Sequence, residues 1–536
     1  MRFRSLCVAL GLWACAGVAS AAPDTVLKSD SGGQGPATLH GELQLSLADA
    51  IAMGLENNLN VEIQRHAPLI AHADHQYAWG AYDPVFNAEF GYSDEETPVA
   101  SGLVGTGGGD NVVKILDGWG GFSGLIPWLG TSYDARLTSS RNKSNAGFAT
   151  LFPELRSEVS FAVTQPLMRG LIWSQPWTLV KTSREFELSA LEQFRADVMD
   201  TVAFIEGGYW ALIADDELVR VAEKSFETAN ALLDRVTTQY EVGVVSKVEI
   251  AESEAGVAER EFDLIVARNR YRNSMDLLID MVLGASLTAD SRITIEPTDR
   301  ADEYVPIEVD VERAAAIAFE RRPELAIAQH EIDRLILNVK LAKNERLPQL
   351  DARLGYGNRG LAGDPKAACT FGCPVEDPGG YGNSYNGFLG SGAAEQWSAR
   401  AILSIPFPNT SARAGVSRAE LELRRARTFK RRTEQDVILE IRRSARNLLS
   451  GQEGIEAADR RRAAAQEQLR AEETRLEYGE STPFDVLLRE QDLVSAEEGY
   501  IGAFQVYRTS LTSLDRAQGT ILRNRNVEID RVAPLR

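Results

Sequence analysis

Apolar residues recur at seven-residue steps along a proline-free stretch from about Trp177 to Tyr240: Leu191, Val198, Ile205, Leu212, Val219, Phe226, Leu233 and Tyr240. Small residues, Ala222 and Ala229, fall three positions after two of them. This spacing predicts a coiled-coil seam rather than the broader face of a globular helix. A later stretch keeps the same phase through Ile441, Leu448, Ile455, Leu469 and Leu476, with Arg462 as the one intruder. At 1.5 Å per residue, a helix of ~65 residues is on the order of 100 Å long, more than a compact domain holds. Each long helix stops at a glycine, Gly243 or Gly479, and another helix is predicted at once, about 246–283 and 482–523. Glycine suits a helix C-terminus, Ser246 or Thr482 can cap the next helix, and Pro483 suits its first turn. Two helical hairpins with tight tips follow from this pattern.

Four other segments alternate with period two. Phe86, Ala88, Phe90 and Tyr92 oppose Asn87, Glu89 and Ser93. Leu350, Ala352, Leu354 and Tyr356 oppose Asp351 and Arg353. Val159, Phe161 and Val163 oppose Glu158, Ser160 and Thr164, and Trp397 to Ile405 alternate against Ser398, Arg400 and Ser404. Pro84, Pro348, Pro166 and Pro406 mark the switches between strand and helix. One greasy and one charged face fit a membrane barrel with a wet interior; a half-buried soluble sheet shows the same alternation. Four strands cannot close a water-filled barrel, and open edges are not tolerated in lipid, so a barrel requires several copies. Between the first pair, 94–157 is longer than a simple loop. Within it Asn111–Leu116 and Thr131–Leu137 also alternate, either as an added hairpin or within an external loop.

The chain repeats itself. Residues 47–92 align without a gap on 311–356, with Ala50 on Ala314, Glu56 on Glu320 and Pro84 on Pro348. A second correspondence sets Tyr240-Glu-Val-Gly243 on Leu476-Glu-Tyr-Gly479 and Glu254 on Glu490. A duplication that keeps its helix phase means one architectural unit used twice. The segments read as follows: 22–308 the first structural repeat, with helix, β-hairpin region 84–166 and long hairpin tipped at 243; 309–523 the second, with β-hairpin 348–406 and tip at 479; 524–536 a tail. Residues 284–310 read as a strand-and-loop insert that, with the tail, forms a belt around the helices.

Charge and targeting narrow the class. Across 536 residues, 57 basic against 77 acidic groups give a net charge of −20. That argues against nucleic acid as a partner, which wants a basic footprint. Arg2, Arg4, an apolar run and Ala19-Ser20-Ala21 read as a signal peptide over 1–21. A rival reading takes Leu12-Trp13-Ala14-Cys15 as a loose lipoprotein box that would acylate Cys15. No later apolar run reaches the ~18 residues of a spanning helix. In an oxidising compartment Cys369 and Cys373, in Cys-Thr-Phe-Gly-Cys, are expected to pair in a disulfide.

These residues resemble the outer-membrane efflux protein family, the TolC-like factors, over about 45–523. The resemblance is carried by the duplicated helix–proline–strand segments Leu47–Tyr92 and Val311–Tyr356, by Gln165-Pro166-Leu167, and by two tip motifs. The motifs are Tyr240-Glu-Val-Gly-Val-Val-Ser-Lys-Val-Glu249 and Tyr478-Gly-Glu-Ser-Thr-Pro-Phe-Asp485. It implies an α+β membrane protein: a homotrimer in which helical hairpins form an α-barrel across the periplasm and strands form a transmembrane β-barrel in outer-membrane lipid. It implies a passive exit duct, with no reaction and no cofactor, docked to a periplasmic adaptor protein and an inner-membrane pump for efflux or type I secretion. Carried over by position, Gly243, Val244, Val245, Gly479 and Ser481 are adaptor-contact tips, and Glu249 and Asp485 are periplasmic gate residues. Where the family often has a second acid, this chain has Leu488. The alternative function is a non-transport periplasmic coiled-coil protein.

Other signals weigh less. His72 and His75 have the spacing to share a metal but lack a companion cluster. Gly105-Thr-Gly-Gly-Gly109 lacks the lysine of a phosphate loop. The basic runs Arg424–Arg432 and Arg460–Arg462 sit among glutamates and read as solvated faces or ion pairs. No Ser/His/Asp or Cys/His constellation stands out, and no enzymatic role is expected.

Overall fold

The computed structural model describes residues 40–98, 110–147, 149–284, 292–300, 306–365, 379–389 and 394–529. The signal segment, Cys15, Cys369 and Cys373 lie outside the described residues. In chain order the elements are β1 (His40–Leu45), α1 (Leu47–Asn57), α2 (Leu59–Trp79), β2 (Val85–Thr97), β3 (Asn111–Leu125), β4 (Ser132–Ser144), β5 (Leu151–Pro166), α3 (Gln175–Glu241), α4 (Lys247–Leu283), β6 (Arg292–Pro297), α5 (Val311–Arg321), α6 (Pro323–Glu345), β7 (Gln349–Pro365), α7 (Tyr381–Leu389), β8 (Ala394–Ser404), α8 (Thr410–Glu477), α9 (Pro483–Gln518) and α10 (Ile521–Asn524). The two long helices are continuous over 67 and 68 residues.

Two compact units share the chain, and each draws on both repeats. One comprises Gln64–Asp197 and Glu312–Ile441; the remaining described residues form the other. The first unit holds a six-stranded sheet in the order β2-β3-β4-β5-β7-β8, antiparallel throughout. The two repeats meet in this sheet, where β5 pairs with β7. The region 84–166 therefore contains four strands rather than one hairpin. Its inner pair, β3 and β4, runs well past the short alternating segments visible in the sequence. Glycines at 118, 120 and 124 blank out the apolar face of β3, so its period is hard to see.

The second unit pairs β1 and β6 in parallel. Tyr209 of α3 anchors the end of this ribbon: its hydroxyl lies 2.7 Å from an Asp299 carboxylate oxygen and 3.0 Å from the Leu45 carbonyl. The strand-and-loop insert is thus tied to the helices by β6 and Asp299. On the C-terminal side α10 is tied down too, because Arg525 pairs with the fully buried Glu206 of α3, whose other oxygen accepts from Thr512 at 2.5 Å.

The helical parts of the segments Leu47–Tyr92 and Val311–Tyr356 are each broken once, into α1 and α2 and into α5 and α6. The breaks fall at equivalent places: Asn58 has φ −71° and ψ 119°, and Arg322 has φ −70° and ψ 121°. In the second repeat Pro323 disfavours helical geometry at the residue before it. In the first repeat Leu59 stands where the second has Pro323. There Asn58 caps the new helix, its side-chain oxygen accepting from the Asn60 N–H at 2.9 Å while its amide donates to the Met281 carbonyl at 3.1 Å.

The heptad seam holds where Val198, Ile205 and Leu212 are buried, and again at Ile441, Leu448 and Ile455. Towards the tip of α3 the buried positions become Ser225, Ala229, Leu232 and Val236, and Phe226 and Leu233 are half-covered. A helix flanked on two sides needs an apolar stripe wider than one seam, and a single copy covers part of that stripe. Arg462, the intruder, lies over the Tyr500 ring at 3.9 Å, which accommodates a cation beside an apolar seam.

Candidate functional site

The sheet's register fixes what each face carries. Phe86, Phe122, Ala135, Phe161, Tyr356 and Trp397 stand side by side across all six strands. Flanking rows on the same face add Leu137 beside Val159 and Leu354 beside Ala399. Large members are widely exposed, Phe90 at 87% and Trp397 at 78%. So many aromatic and aliphatic side chains in one open band are costly in water and favourable against lipid. The opposite face is polar and internally bonded. Trp119 donates to Glu89 at 2.8 Å, Arg136 lies 4.1 Å from the Trp119 ring, and Arg359 pairs with Glu158 at 2.8 Å. Among the described residues β2 and β8 each have one edge without a strand partner. No described helix is long and apolar enough to cross a membrane.

The helix tips obey one rule twice. At the end of α3, the N–H of Val244 donates to the Gln239 carbonyl and that of Gly243 to the Tyr240 carbonyl, both at 2.9 Å. At the end of α8, Glu480 donates to Arg475 at 2.9 Å and Gly479 to Leu476 at 3.0 Å. This is the Schellman arrangement, which needs a left-handed residue; Gly243 has φ +81° and Gly479 φ +73°. Glu249 and Asp485 then close capping boxes on the next helices. Glu249 accepts from the Ser246 N–H at 3.2 Å, and Asp485 accepts from the Thr482 hydroxyl at 2.7 Å and its N–H at 3.3 Å. The Thr482 hydroxyl and N–H hold the Asp485 carboxyl below the usual carboxylate range. Among the described residues the two carboxylates do not bond to each other.

Beneath the tips the two hairpins are knitted together. Ala229, Leu232 and Val236 of α3, Leu476 of α8, and Val486 and Leu487 of α9 form one buried cluster, against which Val245 packs. Gly256 lets α4 approach α9, since a Cβ there would meet Leu487 Cδ1 at 2.8 Å. The tips differ at Ser481, which donates to Glu472, itself paired with Arg475 at 3.2 Å. Heptad reasoning passed over the apolar residues left outside this cluster: Val242, Val244 and Val248 at one tip, Tyr478, Phe484 and Leu488 at the other. They break the seam's phase, and that break was the available signal. It also passed over Glu490, which is buried, accepts from Ser225 at 3.1 Å, and has its carboxyl pushed up by burial. The histidines go to α3: His72 pairs with Glu187 at 2.8 Å, and His75 lies 2.9 Å from the Ser183 hydroxyl.

Residues 315–520 match the sequence profile of the outer membrane efflux protein family. The second repeat is similar to an outer membrane efflux protein domain, and that match places the chain in the outer membrane. No curated protein matches the chain in sequence. Among solved structures, a membrane protein from Pseudomonas aeruginosa superposes with a TM-score of 0.63 at 14% identity, covering 89% of this chain and 91% of that one. The Campylobacter jejuni CmeC outer membrane channel gives 0.62 at 13% identity, covering 90% of each chain. The open state of the Neisseria gonorrhoeae MtrE outer membrane channel gives 0.60 at 14%, covering 89% of each. At these identities the likeness is one of fold: long helical hairpins joined to a sheet.

Proposed function

We propose that three copies of this chain form a passive exit duct through the outer membrane. The six-stranded sheet supports this reading most directly, because it has an open apolar face, a bonded polar face and two bare edges. Three such sheets joined β2 to β8 bring eighteen strands, three times six, into one cylinder with no edge left in lipid. Cylinders of roughly 16–18 strands leave an aqueous channel. The helical hairpins extend this duct into the periplasm as an α-barrel. Their tips, Gly243, Val244, Val245, Gly479 and Ser481 together with the exposed Val242, Val248, Tyr478 and Phe484, dock to a periplasmic adaptor that couples the duct to an inner-membrane pump. Glu249 and Asp485, repeated by threefold symmetry, form an acidic constriction that favours cations. The duct performs no reaction of its own.

Purified protein reconstituted in planar bilayers tests this. The expected result is a detergent-dependent trimer with stepwise ion conductance. A monomer that stays in solution without detergent and carries no current refutes the proposal.

A further inference from the structure

The nine-residue helix α7 belongs to the loop between β7 and β8, and it lies on the apolar face of the sheet rather than beyond its end. Ser384, which is fully buried, donates to the Ser157 hydroxyl at 2.6 Å. Ser157 shares its face with Val159 and Phe161, being two and four residues before them on β5. Between α7 and the sheet runs a groove of about 380 Å³. Its floor is Phe86, Phe90, Leu116 and Leu137, and its wall is Tyr381 and Tyr385, whose rings stack at 6.4 Å. One alternation beyond Leu137 on the same face of β4 comes Ser139, then Arg141, then Lys143. Arg141 stands directly across the strand pair from Leu116, which lines the groove floor. Among the described residues no carboxylate bonds to Arg141, whereas the neighbouring cation Lys114 is held by Asp94 at 2.7 Å.

An apolar slot on the lipid side of a strand, with a guanidinium at its head that no described carboxylate pairs, has the form of a site for an acyl chain ending in a phosphate. We infer that this groove binds the phosphorylated, multiply acylated glycolipid of the outer leaflet, one chain lying between α7 and β2–β4 and a phosphate against Arg141. The leaflet follows from the topology. α7 follows β7 in the chain and packs over its outer half, beside Ser157 and Gly360 and away from the end that joins α6, and the helices extend into the periplasm in the function proposed above, on which this inference rests. Charge complementarity selects the occupant. A bidentate guanidinium–phosphate contact favours a phosphomonoester head over a zwitterionic one. The tyrosine pair offers an amphipathic wall at the level where chain meets headgroup.

The trimer in detergent is titrated with diphosphorylated lipid A and followed by native mass spectrometry, with bilayer conductance recorded on the same preparations. Arg141→Gln is expected to weaken binding at least about tenfold, the size of one charge-assisted contact. Lipid A stripped of its phosphates is expected to bind the wild type as weakly as intact lipid A binds R141Q, and R141Q is expected to show no further loss with the stripped lipid. Equal binding of lipid A by R141Q and wild type overturns the site, as does equal binding of phosphatidylglycerol, which would assign the groove to any anionic lipid. If conductance is normal in either case, the duct stands and the lipid site falls alone. Absence of conductance removes the membrane reading beneath both.

Discussion

Replacing Gly479 with alanine adds a methyl group that meets no other atom within 4 Å, so no clash arises. The cost lies in the backbone. At φ +73° an L-residue other than asparagine or aspartate is strained by about 1–2 kcal/mol. Gly243, at φ +81° and equally open, sets up the same experiment in the other repeat. The strain falls on the turn that holds the Glu480 and Val244 N–H groups to Arg475 and Gln239. Opening of those bonds should therefore become about 5–30-fold more frequent in each alanine variant. Hydrogen exchange at the amides of Glu480 and Val244 measures this directly. Asparagine, which visits the left-handed region readily, should leave exchange close to that of the wild type. If the alanine variants exchange like the parent, or the asparagine variants like alanine, the left-handed turn does not hold the tips. Global melting should hardly move, because the cluster around Leu232, Val236 and Leu487 lies beneath the turn and is untouched.

Two further outcomes are expected. Glu490→Gln keeps an acceptor for Ser225 and removes a buried charge that also faces Arg260 and Glu473. The raised carboxyl contributes stability that is full below its unfolded value and is lost as pH rises through the folded one. Wild-type melting should therefore drop from acidic to neutral pH while E490Q stays flatter and melts higher at pH 7, and a lower melting point for E490Q at that pH would show that the Arg260 attraction outweighs desolvation. Asp485→Ala should change single-channel conductance or cation selectivity, and unchanged currents would remove Asp485 from the gate. Because its carboxyl is depressed, the capping it provides is present above the ordinary carboxylate range and fades as pH falls through the lowered value, so the same experiment repeated at acidic pH should narrow the difference between variant and parent.

What the sequence made legible was periodic. Heptads gave α3 and α8, alternation gave β2, β5, β7 and β8, and the glycine-then-cap order gave both turns, because each rests on local backbone preference. β3 and β4 were only partly legible. Glycines replace the apolar members of β3, and the outer half of β4, Ser139-Ser140-Arg141-Asn142-Lys143-Ser144, is polar on both sides. The break at Arg322 had a proline beside it, yet its twin at Asn58 had none and depends on a bond to Met281, a residue 223 positions away. α7 is rich in glycine and asparagine and owes its place to Ser157, 227 positions from Ser384. For the tip carboxylates, sequence position shows both the capping role and the proposed gate role. Within one chain both carboxylates close capping boxes.

The bare rims of β2 and β8 bear on how the protein is born. A solitary copy reaching the membrane presents two rows of unsatisfied N–H and C=O groups, one on each flank, beside a greasy surface. Such a species finds relief in any β-strand it meets, so its lifetime sets the yield of correct product. For the three-copy duct proposed above, supply of the polypeptide must then stay slow relative to the meeting of siblings, and forced overproduction is expected to divert it into insoluble β-rich aggregates.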